Sequence, residues 1–176
     1  KVEPAKLVEL KSSIAVRDAW KYSIGKAGVY AFSPALAGSS LYVVNAEGAL
    51  ARLDAASGRE TWRIKAGSDI TSSAGSDGTV VAVGAAKGAV LAFDADGKQL
   101  WKAQASSEVL TPPVVGQGVV VVRSVDNRIV GFDAKTGERK WTVQRATPAL
   151  TLRNAPGMVL GGANVYVAQP GGTLLA

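Results

Sequence analysis

Three aspartates recur at matching places in the sequence and are the side chains best suited to chemistry: Asp54, Asp94 and Asp133. Carboxylates can bind calcium or act as general acids and bases when several of them converge on one pocket. Each of these aspartates, however, is followed by a glycine and then by a tryptophan at nearly the same distance. A residue that every repeat needs is best explained by folding, so we interpret the aspartates as turn residues.

The amino-acid composition excludes several classes of site. The 176 residues include no cysteine and no histidine, which excludes disulfides, thiol nucleophiles, histidine-dependent triads and Cys or His metal sites from this segment. We therefore predict no catalytic, metal-binding or cofactor-binding residue. The formal charge of +6 would favour nucleic acid or anionic lipid, but the basic residues are scattered and we expect no nucleic-acid partner. No apolar run approaches the roughly 20 residues of a membrane-spanning helix.

The tryptophans reveal an internal repeat. Trp20, Trp62, Trp101 and Trp141 are spaced by 42, 39 and 40 residues, and the last three close the phrases GALARLDAASGRETW, GAVLAFDADGKQLW and NRIVGFDAKTGERKW. Each phrase predicts a strand, a tight turn with Asp and Gly, and an outer strand that carries the tryptophan. Two more strands precede each phrase, and four short strands per roughly 40 residues are typical of a propeller blade. The residues of this blade motif are Asp54, Gly58, Trp62, Asp94, Gly97, Trp101, Asp133, Gly137 and Trp141.

The repeat predicts an all-β fold, a β-propeller of four-stranded antiparallel blades. We expect an extended leader over 1–18 and a partial propeller over 19–176. The propeller divides into an orphan outer strand over 19–25, blades over about 30–65, 68–104 and 107–144, and a partial blade over 148–176. We expect each tryptophan to pack against the neighbouring blade, because docking there buries the large apolar area of the ring.

One connection is longer than its counterparts. The distance from the outer tryptophan to the second strand of the next blade is 19 residues in two cases and 24 after Trp141. The five extra residues fall in the stretch TPALTLRNAPG. In an extended chain Leu150 and Leu152 point to one side and Arg153 to the other. The leucines could begin an inner strand and pack in the ring, or they could face a partner, and the residue pattern alone leaves both open.

The Asp-x-x-(Thr/Ser)-Gly-x-x-x-Trp phrase resembles the blades of the quinoprotein (PQQ-repeat) propellers, which usually have eight blades. DADGKQLW is one residue shorter than this pattern. The order of segments, from the leader through AWKYSIG to WTVQRATPALTLRNAPG and VYVAQPGGTLLA, is similar over essentially the whole chain to the BamB family of outer-membrane assembly lipoproteins. The PALTLR element is the part most specific to that family. The resemblance implies about half of an eight-bladed ring.

The family resemblance also implies a function. It implies a non-catalytic scaffold, without a cofactor, that assists the folding and insertion of outer-membrane β-barrels. Leu150, Leu152 and Arg153 would dock on the POTRA region of the barrel subunit BamA and, through it, on the rest of the assembly machinery. The protein would lie at the periplasmic face of the outer membrane, and the leader would lead back to a lipidated cysteine. Two alternatives stay open: a quinone-dependent dehydrogenase, and a propeller that binds peptides or unfolded outer-membrane proteins.

Overall fold

The computed structural model describes residues 14–144, 157–169 and 172–176. In these residues the strands form four antiparallel sheets, one for each repeat, which we number as blades 1 to 4. This arrangement confirms the all-β propeller prediction. Blade 1 consists of β1 (Ala35–Ala37), β2 (Ser40–Val44), β3 (Ala49–Asp54) and β4 (Glu60–Lys65). Blade 2 consists of β5 (Gly75–Ser76), β6 (Val80–Ala85), β7 (Ala89–Asp94) and β8 (Gln99–Gln104), with a short 3-10 turn at Ala86–Gly88.

Blades 3 and 4 continue the same order along the chain. Blade 3 consists of β9 (Val114–Gly116), β10 (Val119–Arg123), β11 (Arg128–Asp133) and β12 (Arg139–Gln144). Blade 4 has three strands among the described residues, β13 (Met158–Gly161), β14 (Asn164–Gln169) and β15 (Thr173–Leu175). Within each blade, strands that are consecutive in the chain pair side by side, and the tryptophan strand forms one edge of the sheet in blades 1 to 3.

Sheet stacking explains why the central strands are so rich in valine. All six residues of β6 are buried, whereas burial alternates along β2. A strand whose two faces are both covered by neighbouring sheets needs apolar residues at every position. Blade 2 lies between blades 1 and 3, so β6 has both faces covered, and blade 1 has a neighbouring sheet on one face only among the described residues.

The hydrophobic core is divided among the junctions between blades. Tyr42 and Leu50 of blade 1 pack with Phe93 of blade 2, and Val90 of blade 2 packs with Phe132 of blade 3. These are large clusters. The junction between blades 3 and 4 contains a smaller one, whose buried members are Val121, Ile129, Met158 and Val167.

The predicted outer strand over 19–25 is not formed in the structure. A strand requires a ladder with a neighbour, and no described strand pairs with this segment. The segment instead lies against blade 1. Tyr22 is hydrogen-bonded to both Glu60 and Arg63 of β4, and Asn45 donates from Nδ2 to the carbonyl of Ile24 at 3.0 Å. Among the described residues, no helix has the length and apolarity needed to cross a membrane.

Candidate functional site

The recurring aspartates shape the turns before the tryptophan strands. Oδ1 of Asp54 accepts a hydrogen bond from the backbone N–H of Ser57 at 2.8 Å, and Oδ1 of Asp133 accepts one from Thr136 at 3.0 Å. Asp94 accepts backbone hydrogen bonds in the same way within its shorter turn. A carboxylate that accepts backbone N–H groups stabilises a turn. The three aspartates therefore lie in three separate turns and do not converge on one pocket.

Asp133 has an additional partner in Lys140. The ladder between β11 and β12 shifts beside Lys140, and its ammonium lies 3.0 Å from Oδ2 of Asp133. This ammonium, together with the N–H groups of Thr136 and Lys135, lowers the pKa of Asp133 to about 2. For Asp54 the hydroxyl of Ser57 is the largest cause of a lowered pKa. Both shifts are explained by local turn chemistry.

Each docked tryptophan is hydrogen-bonded to the turn of the blade that follows it in the chain. Nε1 of Trp20, Trp62 and Trp101 donates to the carbonyl of the alanine that follows the recurring aspartate, at 3.2, 2.8 and 2.9 Å. The ring lies flat over the turn glycine, so that a Cβ on Gly137 would come within 2.6 Å of the Trp101 ring. Gly137 has a φ of +75°. Glycine is needed there both for the turn conformation and for the close approach of the ring.

Trp141 occupies the same place in blade 3 but is more exposed. Its exposed fraction is 37%, against 7% for Trp101. It lines an apolar groove of about 330 Å³ between blades 3 and 4, together with Ile129, Val165 and Leu175. No turn of a following blade covers the Trp141 ring among the described residues, since blade 4 is described only as far as β15.

A buried polar cluster links blades 3 and 4, and the sequence analysis did not find it. Arg123 is 3% exposed, and its guanidinium donates twice to Oδ1 of Asn127, at 3.0 and 2.7 Å, and once to the carbonyl of Ala168, at 2.9 Å. Asn127 in turn donates to Gln169 at 2.9 Å. Burial lowers the pKa of the Arg123 guanidinium. The available signal was Asn127 itself, which stands where the other blades have Gly48, Gly88 and Gly172 and keeps their positive φ.

Regular connections between blades are anchored by a buried aliphatic side chain. Ile70, in the connection 66–74, and Val109, in the connection 105–113, are both 0% exposed. The hydroxyl of Thr71 donates to the carbonyl of Val109 at 2.7 Å, so consecutive connections also bind one another. Both connections contain nine residues.

The connection from β12 to β13 covers 145–157 and contains thirteen residues. β13 begins one position earlier than the other inner strands, and the pairing register keeps the insertion at the five residues seen in the sequence. Leu150, Leu152 and Arg153 lie in this connection but outside the described residues. Among the described residues, no group of three or more acidic side chains is placed to hold a metal ion.

Comparison with known proteins identifies the family. The sequence profile described as "Outer membrane protein assembly factor BamB" matches residues 15–95 and 46–176. The outer membrane protein assembly factor BamB of Burkholderia pseudomallei (strain K96243) is 45% identical over 174 residues, which are 98% of this chain and 46% of that protein. The chain thus spans about half the length of the relatives it matches.

Solved structures show the same fold at lower identity. The crystal structure of BamB from Moraxella catarrhalis has a TM-score of 0.69 at 21% identity, over 77% of this chain and 42% of that one. A quinohemoprotein alcohol dehydrogenase from Pseudomonas putida has a TM-score of 0.58 at 21% identity, over 69% of this chain and 21% of that one. These likenesses concern the propeller fold alone. The profile match covers nearly the whole sequence, and the chain therefore belongs to the outer membrane protein assembly factor BamB family.

Proposed function

We propose that this chain is a non-catalytic scaffold in outer-membrane protein assembly and that it docks through the connection 145–157 on the POTRA region of BamA. The observation that carries the proposal is the length of that connection, thirteen residues against nine in the two regular ones. A connection at the rim of a repeat fold can lengthen without disturbing the sheets, and such segments commonly acquire binding residues. Leu150, Leu152 and Arg153 are the proposed contacts.

The buried anchors of the regular connections support an outward role for the two leucines. Ile70 and Val109 each lie eight residues after their tryptophan and eleven before the second strand of the next blade. Counted forward from Trp141, the matching position is Ala149, and counted back from Val165 it is Asn154. Neither count places a leucine at the anchor position. The proposed outward role of the leucines is compatible with both counts.

The chemistry of the segment suits a small anchor cluster. Leu150 and Leu152, spaced by two, would present one apolar face in an extended conformation, while Arg153 would pair with a carboxylate or with carbonyl groups at the edge. Aliphatic anchors in a groove, ringed by polar contacts, provide most of the energy of such interfaces. Pro148 and Pro156 restrict both flanks and reduce the conformational entropy lost on binding. Strand addition to a POTRA sheet through the backbone of this segment is a compatible geometry.

The cellular setting belongs to the same proposal. The relatives' name places them in outer-membrane protein assembly, and we infer that this chain acts at the periplasmic face of that membrane. The tether over 1–18 stays a prediction, because residues 1–13 lie outside the described ones. The blade domains 19–176 proposed from the repeat supply the rigid frame that presents the connection 145–157.

A quinone-dependent dehydrogenase is the second candidate, favoured by the fold likeness to the quinohemoprotein enzyme. The described residues do not fit the calcium and quinone site that such chemistry needs. Their recurring carboxylates accept turn hydrogen bonds, and no described acidic cluster could hold the metal ion. Calcium-dependent oxidation of an alcohol by the chain reconstituted with pyrroloquinoline quinone would reverse this order of preference.

The proposal is tested by binding of the whole chain to the isolated POTRA region of BamA. We expect the triple variant Leu150→Ala, Leu152→Ala, Arg153→Ala to bind at least tenfold more weakly, because anchor residues typically contribute more than about 1 kcal/mol each. The measurement is calorimetric titration. Circular dichroism shows whether each variant is folded.

A matched control removes the same chemistry elsewhere. Val29 and Leu36 are 93% and 65% exposed, and Arg59 is exposed in a blade turn, so the triple variant Val29→Ala, Leu36→Ala, Arg59→Ala should bind as the wild type does. Undiminished binding by a folded variant at 150, 152 and 153 would disprove the assigned interface. Unchanged binding of unfolded barrel peptides by that variant would instead indicate a general peptide-binding propeller.

A further inference from the structure

The outer edge of blade 2 is the strand β8, and blade 2 has a neighbouring blade on each side. It packs against blade 1 through one cluster of buried residues and against blade 3 through another. In the order of its sheet β8 comes last, and among the described residues it pairs with β7 alone. The exposure of β8 is therefore a property of the outer surface between two packed junctions.

Two residues of β8 direct their backbone groups away from the sheet. The N–H of Ala105 donates to the carbonyl of Gly88 at 2.9 Å, so these two residues form a hydrogen-bonded pair of the ladder. In an antiparallel ladder such pairs alternate with pairs that exchange no backbone hydrogen bonds. In the register of β7 and β8, Lys102 and Gln104 fall in the second kind of pair. Their N–H and C=O groups therefore point outwards, and the Gln104 carbonyl accepts a hydrogen bond from Arg139 of blade 3 at 3.4 Å.

The side chains along this edge are basic. The stretch 98–104 contains Lys98 and Lys102 but no acidic residue, and both lysines are exposed. Arg139 adds a third cation where it reaches the edge. None of the ion pairs formed among the described residues involves these three side chains. Basic residues that are scattered in the sequence thus meet at one strand edge without a carboxylate partner.

Exposed acidic residues lie outside this strand. Asp96 and Glu138 lie in the turns that precede β8 and β12, and Glu47 lies in the turn between β2 and β3. Asp69 and Glu108 lie in the regular connections between blades. The edge of β8 is therefore a local basic surface, and an anionic partner is the kind that its charge favours.

We propose that the edge of β8 binds an extended acidic segment of another polypeptide, which adds to blade 2 as a further strand. The backbone of the segment would pair with the outward N–H and C=O groups of Lys102 and Gln104. A membrane surface is also anionic, but it has no peptide backbone to extend the ladder, so the edge favours a polypeptide. The proposal does not rest on the docking function proposed above.

The pleat determines which side chains of the added strand would meet the cations. Residues directly opposite each other in a ladder have their side chains on the same face, so a carboxylate opposite Lys102 would lie beside its ammonium. Residues two apart share that face, so the next carboxylate would lie opposite Gln104, where Arg139 reaches the edge. Leu100, with an exposed fraction of 41%, offers an apolar contact between the two lysines. A segment with acidic residues at alternate positions therefore fits this edge.

The same lysines explain how the edge avoids other partners. Lysine at an open strand edge discourages pairing with another chain, and natural sheets use it to prevent aggregation. A segment with carboxylates opposite the lysines gains favourable charge pairs, whereas a neutral or basic segment does not. The charges would thus select an acidic partner and exclude the rest.

Binding of a labelled peptide of alternating glutamate and threonine to the whole chain tests the proposal. The measurement is fluorescence anisotropy at low ionic strength. We expect the variant Lys98→Glu, Lys102→Glu to bind at least about tenfold more weakly than the wild type, because its new charges repel the carboxylates. A peptide of alternating glutamine and threonine should bind the wild type at least about tenfold more weakly than the acidic peptide does. Circular dichroism shows whether each variant is folded.

The variant Lys26→Glu, Lys87→Glu is the matched control, because it changes the net charge by the same amount. Both of these lysines are exposed and lie outside β8, so this variant should bind the acidic peptide as the wild type does. Equal weakening by the two variants would show that the peptide responds to net charge alone, and the proposal would fail. Vesicles of phosphatidylglycerol bound through Lys98 and Lys102, with no binding of the peptide, would make the edge a membrane contact instead.

Hydrogen exchange followed by nuclear magnetic resonance tests the added strand itself. The acidic peptide should slow the exchange of the Lys102 and Gln104 amide hydrogens at least about fivefold, since both would gain a backbone acceptor. The amide hydrogens of Trp101 and Ala103, which the register directs towards β7, should change little. Binding that depends on the lysines but leaves the exchange of Lys102 and Gln104 unchanged would overturn strand addition.

Discussion

The junction between blades 2 and 3 and the junction between blades 3 and 4 derive from the same sequence phrase but are held together differently. At the first, Trp101 is buried and donates to Ala134 at 2.9 Å. At the second, Trp141 is 37% exposed, and the guanidinium of Arg123 donates to the carbonyl of Ala168 at 2.9 Å beside a small apolar cluster. The contribution of the repeated tryptophan to a junction therefore depends on whether the turn of the following blade covers its ring.

The largest difference between the two junctions should appear when their tryptophans are truncated. Trp101→Ala removes a buried ring and its hydrogen bond, and we expect it to lower the free energy of unfolding by about 3–5 kcal/mol. Trp141→Ala should lower it by less than half as much, because its ring is partly in solvent. Urea unfolding followed by far-ultraviolet circular dichroism measures both. Equal losses would show that the Trp141 ring, which is exposed in the structure, is covered in solution.

The close fit of ring and turn can be separated from the cost of the turn itself. Gly137 and Gly118 have φ values of +75° and +76°, but a Cβ on Gly118 would meet nothing within 4 Å. Gly118→Ala should therefore cost only about 1 kcal/mol of backbone strain. Gly137→Ala should cost about 1–3 kcal/mol more, because its methyl group would displace the Trp101 ring. Similar losses in urea unfolding for the two variants would contradict the docked-ring geometry.

The polar cluster at the second junction should respond to restoring the glycine of the other blades. Asn127→Gly relieves a positive φ of 62° but removes both bonds from Arg123 to Oδ1. We expect a net loss of about 1–2 kcal/mol, since a buried guanidinium that keeps only the carbonyl of Ala168 as an acceptor costs more than the strain that is relieved. Urea unfolding measures this change in the free energy of unfolding. A gain in stability would mean that the cluster contributes less than the strained backbone costs.

A double-mutant cycle shows whether Arg123 and Asn127 act together. Arg123→Val introduces the residue type of Val44, its counterpart in blade 1, and the double variant Arg123→Val, Asn127→Gly has the residues that blade 1 has at Val44 and Gly48. We expect the double variant to be about 1 kcal/mol more stable than the sum of the single losses predicts. Additive losses would indicate that the two side chains stabilise the junction separately.

The two junctions also show which features the sequence could predict. The turn of Asp133 and Gly137 is local, and the hydrogen bonds that close it join residues at most five positions apart, so the repeat alone indicates it. The bond from Arg123 to Ala168 joins residues 45 apart. It depends on which face of β10 meets blade 4, and periodicity gives no information about that contact. The sequence therefore predicted the blades and their motif but missed the polar cluster between them.

The predicted strand over 19–25 shows a second limit, of a different kind. Its composition and its tryptophan match those of an outer strand, and Trp20 docks on blade 1 as the repeat predicts. A strand also needs a neighbouring edge, which is a property of the assembly and not of the segment. Sequence patterns predict the capacity to pair, and the structure shows whether a partner edge is present. The connection 145–157 stays a prediction for its own reason, because its central residues lie outside the described ones.

The smallest expected effect concerns the turn that separates the two junctions, and it is a pH dependence. Lys140 and the turn N–H groups lower the pKa of Asp133 from its ordinary 3.8 to about 2 in the folded chain. A group with a depressed folded pKa stabilises the fold fully above its unfolded pKa, and this contribution is lost as the pH falls from about 4 to about 2. As the pH is lowered from about 4 to about 2, the free energy of unfolding measured in urea should therefore fall less steeply for Asp133→Asn than for the wild type. Lys140→Met should give an intermediate slope, since the N–H groups of Lys135 and Thr136 remain. Identical slopes for all three chains would show that the ion pair seen in the structure does not persist in solution.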